Sequence, residues 1–275
     1  MQERILQSGQ ERISAAFSGI GADQTAALMP YYTLGYPDRE TSLAIVEAIA
    51  PYCDLLELGV PFSDPLADGP TIQHSTQKSL EAGTTTAGCL DMVRQLRGRG
   101  ITTPFLLMGY YNPILAYGLE QYVADAAASG ADGFIVPDLP PEEAGELEEA
   151  AAGAGLALIH FLAPTTNPSR MRAVTRRGRG FIYLVSVTGV TGARTQMAEG
   201  LEPFVARVRQ HTDTPLAVGF GISTPEQAAQ VGAIADGVIV GSALINAVDS
   251  ADDKAAGAAR FVQVLHAALR AERDS

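Results

Sequence analysis

No uninterrupted apolar stretch of about 18 residues or more runs through the 275-residue chain, although 47% of its residues are hydrophobic. A helical membrane span is therefore not expected. The first ten residues carry charges of both signs and no apolar core segment, so no secretory leader is expected either. Basic residues are scarce: 19 Lys and Arg stand against 31 Asp and Glu, a formal net charge of −12. No basic stripe is available to neutralise phosphates, which argues against nucleic acid as a partner. Cysteine is reduced to Cys53 and Cys89, both in apolar surroundings and without a C-x-x-C spacing. They are expected to be buried or half-buried thiols of a reducing compartment, the cytoplasm. His74, His160, His211 and His266 show no H-E-x-x-H or other ligand spacing, so no metal site is expected. Neither a G-x-G-x-x-G opening a Rossmann unit nor a Walker sequence is present, which speaks against a nucleotide cofactor.

What the chain does contain is a regular succession of short apolar runs. Residues 27–33, 53–58, 104–108, 133–136, 157–160, 180–185, 216–219 and 237–240 predict eight strands. Helices are predicted between them. One carries Ile45, Val46 and Ile49 on a single face, two lie near 71–82 and 87–98, and another runs from Pro141 to Gly153, with proline and acid at its start and glycine at its end. Thr224-Pro225-Glu226-Gln227 opens a further one with a capping-box spacing, and the last sets Ala258, Phe261, Leu265 and Leu269 on one side. Ahead of the first strand, Ile13, Ala16, Phe17 and Ile20 recur at helical spacing, which predicts an amphipathic helix lying against one end of the fold. Continuously apolar strands indicate a parallel sheet covered on both faces. Eight such units with right-handed crossovers close into a (β/α)₈ TIM barrel, read as one domain over 1–275 with an extra N-terminal helix and a long loop plus helices after strand two. An open doubly wound sheet is the alternative.

The chemistry concentrates in residues 54–71. An apolar strand carries Glu57 near its end and runs into a loop rich in proline and glycine that carries Asp64 and Asp68. Burying a carboxylate in such a strand is costly, and enzymes exploit that cost to tune an acid. With Asp68 across a bent loop, the pair is suited to moving protons. The alternative is that Glu57 meets a distant basic residue while Asp68 occupies an Asp-Gly turn.

Glycine-rich turns at 188–192, 218–222 and 240–242 follow strands six, seven and eight. Glycine lets backbone N–H groups approach an anion, and a helix opening at Gly241-Ser242 would aim its positive end at the same point. A phosphate site after strands seven and eight recurs in barrels. Any one of these turns taken alone is better explained as a helix cap or a tight turn, and it is the three together that point to phosphate. Arg194 is either an anion contact or solvated, and Tyr110, Tyr111 and Tyr117 around Asn112-Pro113 either line a pocket or pack as an aromatic loop.

Residues 56–70, Leu-Glu-Leu-Gly-Val-Pro-Phe-Ser-Asp-Pro-Leu-Ala-Asp-Gly-Pro, resemble the signature of the tryptophan synthase alpha chain family. Met-Gly-Tyr-Tyr-Asn-Pro-Ile at 108–114, Val-Pro-Asp-Leu-Pro at 136–140, Gly-Val-Thr-Gly at 189–192, Gly-Phe-Gly-Ile at 219–222 and Gly-Ser-Ala at 241–243 extend the resemblance over nearly the whole chain. It implies a (β/α)₈ barrel that cleaves indole-3-glycerol phosphate to indole and glyceraldehyde 3-phosphate. It also implies pairing, as an α₂β₂ tetramer, with a beta chain whose pyridoxal phosphate joins indole to serine; no cofactor is implied in this chain. By the same resemblance Glu57 is the general acid/base and Asp68 handles the indole N–H proton. Tyr183 is an active-site tyrosine, with Tyr31, Leu107, Ile135 and Phe220 in the indole pocket. Gly192, Gly221, Gly241 and Ser242 would contact phosphate, and mobile loops would carry Asp64 and Thr191. Two positions depart from the family pattern: some relatives have arginine where Val187 stands, and phenylalanine where Tyr31 stands. A stand-alone indole-releasing lyase, a non-catalytic activating subunit and a sugar-phosphate isomerase are the competing readings.

Overall fold

The computed structural model describes residues 8–18, 20, 25–185, 196–219 and 221–270. Val187, Thr191, Gly192, Arg194 and Phe220, singled out above, lie outside the described residues. Helix α1 (Gly9–Ser18) precedes β1 (Ala27–Thr33), followed by α2 (Arg39–Ile49), β2 (Leu56–Gly59), α3 (Pro70–Glu81), α4 (Thr86–Gly98) and β3 (Phe105–Met108). Then come α5 (Tyr111–Tyr117), α6 (Leu119–Ser129), β4 (Gly133–Ile135), α7 (Gly145–Gly153), β5 (Ala157–Leu162), α8 (Pro168–Arg177) and β6 (Ile182–Val185). The chain continues through α9 (Gln196–Arg209), β7 (Leu216–Gly219), α10 (Pro225–Gly232), β8 (Gly237–Val240), α11 (Ser242–Ser250) and α12 (Lys254–Arg270). The strands pair in chain order, all parallel, and β8 returns to β1. That closure excludes the open doubly wound sheet.

Several helix starts follow local chemistry. Asp38 accepts from the Thr41 amide at the head of α2, Thr85 from Gly88 at α4, and Thr224 from Gln227 at α10, each side-chain oxygen satisfying an otherwise orphaned N–H. One start differs from expectation. The helix expected from Pro141 begins at Gly145, because the Glu143 amide closes a turn onto the Pro140 carbonyl and Arg177 donates to the Pro141 carbonyl, which a helix would have used for its own ladder.

Register places Tyr31, Glu57, Leu106, Gly133 and Ala157 at one level of the barrel. Side chains alternate along each strand, so Met29, Leu55, Leu106, Ile135, Ile159 and Phe181 pack inside the barrel, while Leu28, Leu56, Phe105, Leu107 and Phe134 pack outward against the helices. Helix α1 closes the interior: Ile13 and Phe17 join the inner cluster, and the Phe17 ring lies 5.6 Å from that of Phe181.

A buried ion cluster helps to fix this arrangement. Asp132, fully buried just before β4, accepts from the Phe105 amide at 2.7 Å and from Arg97 at 2.7 Å, and is bonded by Arg12 of α1 as well. Arg97 also lies over the Phe105 ring, 3.8 Å from its centroid. Removing one member of such a set leaves the others desolvated without compensation. Asp132→Ala is therefore expected to cost about 2–4 kcal/mol of stability. Denaturant unfolding measures this loss, and a loss below about 0.5 kcal/mol, the range of ordinary surface changes, would contradict it.

Candidate active site

On β2, as the second of its four residues, Glu57 has a completely buried carboxyl, and among the described residues neither of its oxygens has a hydrogen-bond partner. An ionised carboxylate would be poorly stabilised there, and burial pushes the Glu57 carboxyl up to about 8. Burial therefore favours the neutral acid form of Glu57 at pH 7. The ion pair with a distant basic residue, entertained above, is not found among the described residues.

Beyond Gly59 the chain turns into the loop that carries Asp68. Its amides close local turns, Leu66 onto Asp64 and Asp68 onto Pro65, and Gln73 of α3 donates to the Asp68 carbonyl at 2.9 Å. Helix α3 then starts with Gly69 as its cap and Pro70 in its first turn. The Asp68 carboxyl is half-buried and receives the Tyr110 hydroxyl at 3.0 Å. Burial raises its affinity for a proton and the Tyr110 bond opposes that rise. Asp64 is exposed and accepts from the Ser63 hydroxyl at 2.5 Å.

Two tyrosines flank the acids. Tyr31 bonds Thr33 at 3.2 Å, Thr33 bonds Ser75 at 2.7 Å, and Ser75 donates to the Ile72 carbonyl at 2.9 Å. Because the Ser75 hydrogen goes to that carbonyl, Thr33 donates to Ser75 and Tyr31 donates to Thr33. The Tyr31 hydrogen is thus used by Thr33, and Tyr31 makes no hydrogen bond to Glu57. Tyr183 stacks on Phe161 with ring centroids 4.8 Å apart. Both phenols need glycine beside them: a Cβ on Gly59 would sit 2.2 Å from the Tyr31 hydroxyl, and one on Gly219 would sit 2.4 Å from that of Tyr183.

These groups surround one cavity of about 270 Å³ at the C-terminal mouth of the barrel. Glu57 and Asp68 both border it, Met108, Phe161, Tyr183 and Ile239 supply apolar surface, and Gly219, Gly221, Gly241 and Ser242 form the remaining edge. Gly241 caps α11 without any side-chain bond. The first turn of that helix therefore offers backbone amides and the positive end of its dipole to an anion.

Two residues expected in the indole pocket do not border this cavity. Leu107 points outward into the helix layer, because the register that turns Leu106 and Met108 inward turns it away; Met108 takes its place. Ile135 faces the barrel interior but belongs to the packed inner cluster, and Pro137, two residues on, borders the cavity instead. Met108, Pro137, Phe161 and Ile239 were not anticipated. The available signal was the period of two, counted from Glu57 across the sheet.

A closed parallel barrel with an acid-bearing cavity at its C-terminal mouth is the architecture of a (β/α)₈ enzyme. The chain belongs to the tryptophan synthase alpha chain family, whose model matches residues 17–272. It is 51% identical over 257 residues to the tryptophan synthase alpha chain of Chloroflexus aggregans, covering 92% of this chain and 96% of that one. To the alpha chain of Geobacter sulfurreducens it is 48% identical over 261 residues, with 94% and 98% covered. Among solved structures it superposes on tryptophan synthase from M. tuberculosis with a TM-score of 0.86 at 36% identity, covering 94% of this chain and 99% of that chain. The alpha chain of Legionella pneumophila gives the same TM-score and identity, with 94% and 97% covered. Cleavage of indole-3-glycerol phosphate is the alpha-subunit role in this family, the chain is a lyase of that class, and the family's pyridoxal phosphate belongs to the beta chain. The sugar-phosphate isomerase reading is thereby set aside.

Proposed function

We propose that Glu57 and Asp68 divide the proton transfers of the retro-aldol cleavage, with the whole chain acting as one barrel unit. Neutral Glu57 gives its proton to C3 of the indole ring as Asp68 takes the proton from the ring nitrogen, producing the tautomer with a tetrahedral C3. Glu57, now a carboxylate, removes the proton from the glycerol hydroxyl next to that carbon. The C–C bond breaks, the new carbonyl leaves as glyceraldehyde 3-phosphate, and its bonding pair returns to the ring while Asp68 hands its proton back to nitrogen. Both carboxyls end as they began, and no cofactor in this chain is needed. The observation that carries this reading is the buried, unpartnered Glu57 carboxyl inside the cavity.

The remaining assignments follow the shape of the cavity. The indole ring lies against Tyr183, Phe161 and Met108, with Tyr31 also bordering the cavity, and the phosphate sits at Gly221, Gly241 and Ser242; the roles of Phe220 toward the ring and Gly192 toward the phosphate rest on the family resemblance alone. The family resemblance assigns to the loops carrying Asp64 and Thr191 a closure over the substrate. The beta chain docks on the mouth of the barrel, where Leu66 is 92% exposed and Leu115 of α5 is 50% exposed, and the assembly is an α₂β₂ tetramer in the cytoplasm. Two observations are compatible with that compartment: no helix among the described residues is long and apolar enough to cross a membrane, and Cys53 and Cys89 are free thiols.

Indole release from indole-3-glycerol phosphate, measured with and without a cognate beta chain, tests the reading. Release is expected to rise when the beta chain is added, and Leu66→Asp is expected to reduce that rise. No release in either condition would contradict the proposed chemistry. Equal release in both would favour a stand-alone lyase.

A further inference from the structure

We infer that Tyr110 is a positioning residue for this reaction: from the start of α5 it holds the β2–α3 loop and keeps Asp68 in the form that accepts a proton. The inference rests on the role proposed above for Asp68. Tyr110 is buried, 5% exposed, and its ring lies 5.5 Å from that of Phe62 at the beginning of the same loop. Its hydroxyl oxygen accepts from the Ala67 amide at 2.9 Å and its hydrogen goes to Asp68 Oδ2 at 3.0 Å. An amide N–H can only donate, so the phenol oxygen accepts from Ala67, and the phenol hydrogen remains for the Asp68 carboxylate. A group that must donate favours a carboxylate over a carboxylic acid.

The surroundings agree with this direction. The titratable groups facing Asp68 are Tyr31 on β1, Glu57 on β2, Tyr110, and Tyr183 on β6, while Asp138, after β4, faces Tyr110. Burial, and then the nearby charge of Asp68, push the Tyr110 phenol well above its ordinary range, so it keeps its proton and remains a donor. Glu57 has no comparable partner among the described residues. One phenol thus separates the two carboxyls into an acid and a base. Because it also holds the Ala67 amide, opening the loop would release the base from that constraint.

Tyr110→Phe keeps the ring against Phe62 and removes only the hydroxyl. The test compares kcat/KM for indole-3-glycerol phosphate against pH in the native chain, Tyr110→Phe, Asp68→Asn and the double variant, each with the beta chain present. The acid limb is expected to move up by about one pH unit in Tyr110→Phe, so activity falls about ten-fold at pH values below that limb and less above it. In the Asp68→Asn background, Tyr110→Phe should change nothing further. A loss in Tyr110→Phe that is uniform across pH marks a merely structural role and overturns the inference, as does an unmoved limb. If Asp68→Asn is as active as the native chain, the role of Asp68 itself fails, which is a different outcome from inactive Asp68→Asn with an unmoved Tyr110→Phe profile. A titration of the Asp68 carboxyl carbon by NMR in the native chain and Tyr110→Phe reads the same displacement without turnover.

Discussion

Glu57→Gln is expected to release indole about 10³-fold more slowly than the native chain, or slower still, since one group is assigned both a proton donation and a proton removal and each such transfer contributes about 10²–10⁴-fold. The same substitution should make the protein more stable in alkali. The carboxyl binds its proton more tightly when folded than when unfolded, because burial lifts it from 4.5 to about 8. Between those values the native state holds a proton that the unfolded state has lost, so stability falls as pH rises through that window. Below about pH 4.5 both states are protonated and the glutamine variant should match the native chain. Above about pH 8 the native chain bears the full cost of a buried charge and glutamine bears none. At about 1.4 kcal/mol per pH unit, the upper bound of the difference is on the order of 4–5 kcal/mol, and relaxation around the ionised group is expected to leave roughly half of that. Denaturant unfolding at pH 5 and pH 9, with indole release on the same samples, reads both effects. A variant that is slow and also less stable at both pH values would point to disrupted packing rather than lost chemistry.

Asp68→Asn is expected to lower kcat by about 10²–10³-fold, with a different signature. Asparagine keeps the shape and can still meet the Tyr110 hydroxyl, but it cannot take the ring-nitrogen proton. The loop and the phosphate edge are untouched, so KM should change by less than about three-fold, as expected when an interaction made only in the transition state is removed. Stability should stay within about 0.5 kcal/mol, because the side chain is half-buried and sits in a loop. Steady-state kinetics at the native optimum separates the outcomes. A large rise in KM at unchanged kcat would instead make Asp68 a binding residue.

Residue type and spacing made most of the architecture legible. The eight apolar runs lie within a few residues of the eight strands, and the helical spacing of Ile13, Phe17 and Ile20 marked the helix that closes the barrel. Strand six illustrates the usual boundary error: Gly180 and Phe181 were read into it, yet Gly180 takes a φ of +68° against Ile13 and the strand begins at Ile182. The carboxyls were legible for a physical reason, since an acid in an apolar strand and another in a Pro/Gly loop are each costly or unusual.

The facing of apolar residues was not legible. Phe105, Leu106, Leu107 and Met108 are all hydrophobic, so nothing in β3 itself says which pair points inward; only pairing of Leu106 with Glu57 decides it. Asn112-Pro113 reads as a loop, yet proline is tolerated in the first turn of a helix, and α5 begins there with Tyr110 as its cap. The bonds of Tyr110 to Ala67 and Asp68 span more than forty residues, as does that between Thr33 and Ser75. Local patterning carries no trace of such contacts, which exist only once the barrel has closed.

The central claim is that one carboxyl, kept neutral at working pH by burial, delivers the first proton. Carbon-13 NMR titration of glutamate carboxyls in the native chain and in Glu57→Gln tests it most directly. The account predicts one carboxyl that titrates near pH 8 and is missing from the variant. If the resonance missing from Glu57→Gln titrates instead near 4.5, Glu57 is ionised at pH 7 and cannot be that donor.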